Sequence, residues 1–145
     1  MRIAIGSDHA GFQLKSSVKD HLLARGLEVV DLGTHAAERC DYPDFGAVVA
    51  SAVGAGEADL GVLVCGTGVG MAMAANKTAG IRAAVVSDTF SARATRQHND
   101  CNVLCMGERV VGVGLALDIV DAWLDATFEG GRHAGRVAKL DALLP

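Results

Sequence analysis

The sequence predicts one α/β domain, a doubly wound, three-layer, Rossmann-like arrangement around a five-stranded parallel sheet. Short apolar runs alternate with longer segments of helical period along all 145 residues. The apolar runs are nearly continuous, as in strands covered by helices on both faces. The chain is 50% hydrophobic, and a chain of this size buries about two thirds of its unfolded surface, enough for one core without disulfides or a structural metal.

The elements follow in order. "RIAIG" reads as a strand, "GFQLKSSVKDHLLARG" as a helix and "LEVVDLG" as the second strand. "FGAVVASAVGAGEA" is the second helix, "LGVLVCG" the third strand and "GMAMAANKTAG" the helix after it. "IRAAVVS", "TFSARATRQHN" and "CNVLCMG" continue as strand, helix and strand, and "GLALDIVDAWLDATF" and "RHAGRVAKLDALL" close the chain as helices. No linker, repeat or low-complexity tract interrupts this rhythm, so residues 1–145 form one domain. "GTHAAERCDYPDFG" is the one long connection without a pattern, and such loops in compact domains are often functional. In a sheet of this kind ligands sit beyond the carboxyl ends of the strands.

Composition narrows the partners. The net charge is -4, from 13 Lys+Arg against 17 Asp+Glu spread along the chain. That leaves no basic field for nucleic acid or anionic lipid, so a small anionic ligand must be caught locally. No apolar run nears the roughly 18 residues of a membrane span, and "MRIAIGSDHAG" lacks the apolar centre of a signal peptide, so a cytoplasmic setting is expected. Cys40, Cys65, Cys101 and Cys105 form no Cys-x-x-Cys pair and no metal-finger spacing with the histidines; they read as four reduced thiols. No His/Glu cluster for a metal is evident, and neither metal nor cofactor is expected. Glycine stands out at 18 residues, where average usage gives about ten, which points to tight turns and close backbone approach.

Chemistry-bearing residues collect at one predicted edge. Asp8 and His9 follow the first strand, Tyr42 the second, and Cys65 with its glycine loop the third. Gly66, Gly68 and Gly70 are spaced G-x-G-x-G, with Met71 where a dinucleotide loop needs its third glycine, and no G-K-[ST] follows. The loop is therefore an anion cradle of another type, where amides and a helix start meet a negative group, or simply a tight turn between closely packed elements. Amide dipoles favour the thiolate of a cysteine placed against them, which suits Cys65 to act as base or nucleophile; the alternative is a small hydrophobe ending a strand. Cys101 and Cys105, on one face of the fifth strand, and Cys40, in a loop, read as structural.

Arg132 and Arg136 are four apart and share a helix face. Their forked donors suit a phosphate, or they form a solvated face paired with carboxylates. His133 between them points elsewhere, as neutral filler. Arg109, after the fifth strand, is a further phosphate donor or a partner of Glu108. His21 on a helix and His35 in a loop read as surface residues. His98, Asn99 and Asp100 precede the fifth strand, at the opposite edge from Cys65 and some 15 Å away at about 3.3 Å per strand residue. His98 therefore caps a helix end or reaches the site of a second subunit across a symmetric dimer.

Together "GSDHAGFQLK", "ERCDYPDF", "CGTGVGMAMAANK", "GIRAAVVSD", "RQHNDCNVLCMGERVVG" and "EGGRHAGR" resemble the type B ribose-5-phosphate isomerases, the family shared with galactose-6-phosphate isomerase subunits. The resemblance runs over nearly the whole chain in matching order. It implies interconversion of ribose 5-phosphate and ribulose 5-phosphate through an enediolate, with proton transfer between C2 and C1. It also implies Cys65 as base, Thr67 as a hydroxyl assisting proton movement, and the amides from Gly66 to Gly70 as anion hole. By the same resemblance His98 opens the furanose ring with Asn99 beside it, and Asp8 and Tyr42 contact sugar hydroxyls. His9, Arg132 and Arg136, with Arg109, bind phosphate. One branch of the family uses a glutamate six positions after the cysteine; here that residue is Met71, which leaves Cys65 as the base.

His98 belongs to this site by resemblance and to the wrong edge by topology, so a homodimer with sites completed in trans is expected, with room for a dimer of dimers. Two alternatives stand beside this reading. One is the same reaction on another aldose phosphate, such as allose 6-phosphate, galactose 6-phosphate or a tetrose phosphate. The other is a non-enzymatic sugar-phosphate sensor in which Cys65 only packs.

Overall fold

A computed structural model describes residues 1–144. The strands are β1 (Arg2–Ser7), β2 (Glu28–Asp31), β3 (Leu60–Cys65), β4 (Ala83–Val85) and β5 (Val103–Gly107). The helices are α1 (Phe12–Ala24), α2 (Tyr42–Gly54), α3 (Val69–Ala75), α4 (Thr89–Asn99), α5 (Val113–Leu124) and α6 (Arg132–Asp141). All strand pairs are parallel, in the order β2-β1-β3-β5-β4. This is the expected doubly wound α/β fold.

Every residue of the central strands β3 and β5 is buried, which explains why they read as unbroken apolar runs. Successive side chains point to opposite faces. Ile3, Ile5, Val62, Val64, Leu104 and Met106 pack in one core with residues of α1, α4 and α5. Ala4, Leu63, Cys65, Val103 and Cys105 pack in a second core with residues of α2 and α3. The sixth helix lies outside, against α4. No helix among the described residues is long and apolar enough to cross a membrane.

The chain leaves β1 for β2 on one side and returns to β3 on the other. Strand order reverses there, so the crevice for a ligand opens between the carboxyl ends of β1 and β3. Ser7 and Cys65 are the last residues of these strands.

Four local expectations are corrected. The patternless connection stops short of Phe45, because α2 already begins at Tyr42. Pro43 presets a helical φ in its first turn and Asp44 faces the positive helix end. Cys101 lies before β5 rather than in it. Its N–H donates to Thr95 O at 3.2 Å and its carbonyl accepts from Trp123 Nε1 at 3.2 Å, so its backbone is committed outside the ladder. His21 is not a free surface residue: its Nε2 lies 2.7 Å from Asp121 Oδ1. The last correction concerns His133, whose buried place beside His98 is described below.

Candidate active site

At the end of β1, Asp8 is buried and its Oδ1 accepts the N–H groups of Ala10 (3.0 Å) and Gly11 (3.2 Å). It thereby caps the single turn His9–Gly11. The N–H of Cys40 lies 3.2 Å from His9 Nδ1. His9 Nδ1 lies equally 3.2 Å from the Cys40 carbonyl oxygen, so the Cys40 backbone holds the ring in either tautomer.

Cys65 is buried, and its Sγ accepts the Gly68 N–H at 3.1 Å. Gly68 has φ +80°, and a Cβ there would stand 3.0–3.1 Å from the Met106 backbone, so both conformation and space select glycine. Thr67 Oγ1 accepts the Val69 N–H at 3.3 Å, while the amides of Gly70 and Met71, in the first turn of α3, have no intrahelical acceptor. The Tyr42 ring lies over Gly70, 2.8 Å from where a Cβ would stand.

Arg109 crosses Gly66: its N–H donates to Gly66 O at 3.1 Å, and its guanidinium passes 3.5 Å from the position of a Gly66 Cβ. Glu108 does not pair with it, because Glu108 Oε2 accepts the Leu14 N–H at 2.9 Å. Among the described residues Arg109 makes no ion pair, which leaves its charge available to an anion. Asp8, His9, Tyr42, Cys65, Thr67, Arg109 and the glycine loop thus share one edge.

The other candidates gather elsewhere. His98 and Asn99 end α4, and the His98 ring stacks on His133 of α6 with centroids 4.5 Å apart and planes 7° apart. Arg132 and Arg136 flank His133. Both are exposed and, among the described residues, pair with no carboxylate. Gly61 N–H donates to Asn102 O, which places the end of α4 level with the start of β3. Cys65 is four residues further on, about 13 Å at 3.3 Å per residue. One chain therefore carries the two groups of candidate residues at opposite edges of its sheet.

Sequence reasoning missed the contribution of His133 and Glu129. His133 is buried, and Glu129 Oε2 lies 3.8 Å from His133 Nε2 and 3.9 Å from His98 Nε2. The Glu129–His133 spacing of four was the available signal. A His/Glu cluster therefore does exist, contrary to expectation, with ligand atoms within 4.8 Å of one another. Burial and the nearby His98, Arg132 and Arg136 hold the His133 pKa below its ordinary value, so this imidazole is neutral near pH 7.

Cys101 and Cys105 are buried. All four thiols are free. Burial pushes the Cys101 thiol up and the Cys105 thiol well above the usual range, so neither accepts a proton near neutrality. A cavity of about 530 Å³ lies along β4 and the ends of α4 and α6, lined by Arg82, Asn99, Leu140 and Leu144 among others; it does not reach Cys65.

Residues 3–140 match the family model described as Ribose/Galactose Isomerase. The ribose-5-phosphate isomerase B of Escherichia coli is 57% identical over 142 residues, covering 98% of this chain and 95% of that protein. The solved Clostridium thermocellum ribose-5-phosphate isomerase B superposes with a TM-score of 0.98 at 58% identity, over 99% of this chain and 97% of the other. The Mycoplasma genitalium ribose-5-phosphate isomerase B, solved with bound ribulose-5-phosphate, gives 0.95 at 45% identity, over 98% and 95% of the two chains. The fold thus has close counterparts along almost its whole length, and the chain belongs to the ribose/galactose isomerase family.

Proposed function

We propose that this protein interconverts D-ribose 5-phosphate and D-ribulose 5-phosphate with Cys65 as the base. The observation that carries the reading is the setting of the sulfur: it closes β3 at the switch point and is held by the Gly68 N–H at 3.1 Å, at the mouth of an amide-lined loop. The likeness to isomerases that act on this pentose phosphate supports the substrate class.

The residues divide the reaction as follows. His98 assists ring opening: the C1–O4 bond breaks, the proton leaves O1–H and one is delivered to O4. The Cys65 thiolate takes the C2 proton and returns it to C1. Charge that develops on O1 is held by the loop amides between Gly66 and Gly70, and the Thr67 hydroxyl relays the proton between O1 and O2. Asp8, Tyr42 and Asn99 hold sugar hydroxyls. His9, Arg109, Arg132 and Arg136 hold the phosphate.

A two-fold homodimer brings the amino-edge half-site of one protomer to the carboxyl-edge half-site of its partner. The separation of the half-sites within one chain supports this, as do the apolar side chains of Met73 and Phe90, 66% and 75% exposed. Free thiols and a sugar-phosphate substrate support a cytoplasmic setting.

The test is Cys65→Ala, measured for turnover and for ribose 5-phosphate binding. A general base contributes about 10²–10⁴-fold, so kcat should fall by at least that much with affinity retained. A folded variant with unchanged kcat would show that Cys65 only packs, whereas a wild-type protein that binds ribose 5-phosphate without turning it over would indicate a sugar-phosphate sensor.

A further inference from the structure

We propose that His133, with Glu129, is a positioning residue for ring opening, holding the His98 imidazole in one plane and linking it to the phosphate-binding Arg132. The inference rests on the role given to His98 above. His98 is itself loosely held: its side chain is 42% exposed and sits at the last turn of α4. Against it lies a buried ring, the His133 side chain being only 7% exposed.

Parallel stacking at 4.5 Å removes rotation of His98 about its ring plane without consuming either of its nitrogens. The Glu129 carboxylate, 3.9 Å from His98 Nε2, steadies the positive charge the ring acquires when it collects the O1 proton. Glu129 is itself anchored, its N–H donating to Gln97 O at 3.0 Å on α4. On the other side Arg132 Nε–H points at His133 Nε2 at 3.5 Å. A neutral His133 can accept that contact, and the lowered pKa of His133 keeps it in that form. One buried ring thus ties the group that opens the sugar to a group that grips its phosphate.

The same three side chains do not suit a metal ion. Ring planes only 7° apart confine the nitrogen lone pairs to two nearly parallel, stacked planes, whereas a tetrahedral ion needs them to converge on one point. Arg132 and Arg136 add positive charge at the same place.

The experiment isolates ring opening. In a Cys65→Ala background the proton transfer is blocked, but opening and reclosing of the furanose still exchanges the α and β anomers of ribose 5-phosphate, a rate read by exchange NMR at saturating protein. Adding His133→Ala should lower this exchange at least tenfold, with ribose 5-phosphate affinity kept within about threefold. His133→Phe, which restores a stacking ring, should recover most of it. Exchange unchanged by His133→Ala overturns the inference, as does a loss matched by an equal loss of affinity, the mark of a merely structural role. His98→Asn in the same background separates the two readings. If it leaves exchange intact, the role of His98 itself fails. If it abolishes exchange while His133→Ala does not, only the positioning role fails.

Discussion

Gly107→Ala tests whether the anion loop must be held to better than 1 Å. Gly107 ends β5 where the strand passes beneath the loop. A Cβ there would stand 2.6 Å from Thr67 Cα, 2.7 Å from Thr67 C and 2.9 Å from Gly66 O. Ordinary contact begins at 3.4 Å, so the loop must retreat by about 3.4 − 2.6 = 0.8 Å. All three obstacles are backbone atoms, and none can rotate away. Retreat is resisted by the Glu108 N–H to Cys65 O bond (2.9 Å) and the Arg109 N–H to Gly66 O bond (3.1 Å). A misplacement of this size costs about 10² in rate, or about 2.7 kcal/mol of transition-state stabilisation. The strained packing should cost about 1–3 kcal/mol of stability, or about 3–10 °C of Tm at this chain length. The assay is steady-state turnover of ribose 5-phosphate beside a thermal melt. Gly114→Ala serves as control: its Cβ would meet nothing within 4 Å, so kcat should be unchanged and stability up by at most about 1 kcal/mol. A folded Gly107→Ala protein with wild-type kcat would refute the reasoning.

Mixing Cys65→Ala with His98→Asn subunits tests the shared site. With random pairing half the dimers are mixed and each mixed dimer keeps one intact site, so activity should return to about a quarter of wild type; two variants that stay inactive together would place each site within one chain. Arg136→Ala should raise KM with kcat nearly kept, because a phosphate remote from the reacting carbons is held alike in ground and transition states; a loss confined to kcat would contradict that role. Asp31 gives an acid limb to stability. Burial alone would raise its pKa, but hydrogen bonds from Lys15 Nζ (2.7 Å), Lys19 Nζ (2.9 Å) and the Gly33 N–H (3.1 Å) outweigh it and hold the carboxyl below its ordinary 3.8. The folded value lies below the unfolded one, so this stabilisation is complete above about pH 4 and is lost as pH falls through the lowered value. Asp31→Asn should flatten that limb in urea melts. At neutral pH it should cost about 3 kcal/mol, the lower end for a broken buried pair, since Lys15 is left 2% exposed while Asp31 itself is 14% exposed. Equal stability at neutral pH would show that Lys15 needs no anion.

The layered fold was legible because its signal is local. Strands buried on both faces must be apolar throughout, as β3 and β5 are, and helices between them must show a period near 3.6. The same order places Asp8, Tyr42, Cys65 and Arg109 at the carboxyl edge. Exceptions came where local chemistry overrode pattern. The first turn of α2 was hidden inside an apparent loop because capping by Pro43 and Asp44 carries no hydrophobic period. Cys101 kept the two-residue period of β5, yet its carbonyl was claimed by Trp123, 22 residues away.

The sequence by itself therefore determined the sheet, the residue types that gather at its carboxyl edge and their order, because these follow from burial and spacing along one strand or helix. Only the tertiary structure decided which distant groups touch. The Gly107–Thr67 approach that fits β5 beneath the loop, and the stack of His98 on His133 beside Glu129, join segments whose contact depends on how α4, α6 and the sheet pack. Such contacts are set by three-dimensional packing and leave no period in the chain from which they could be read.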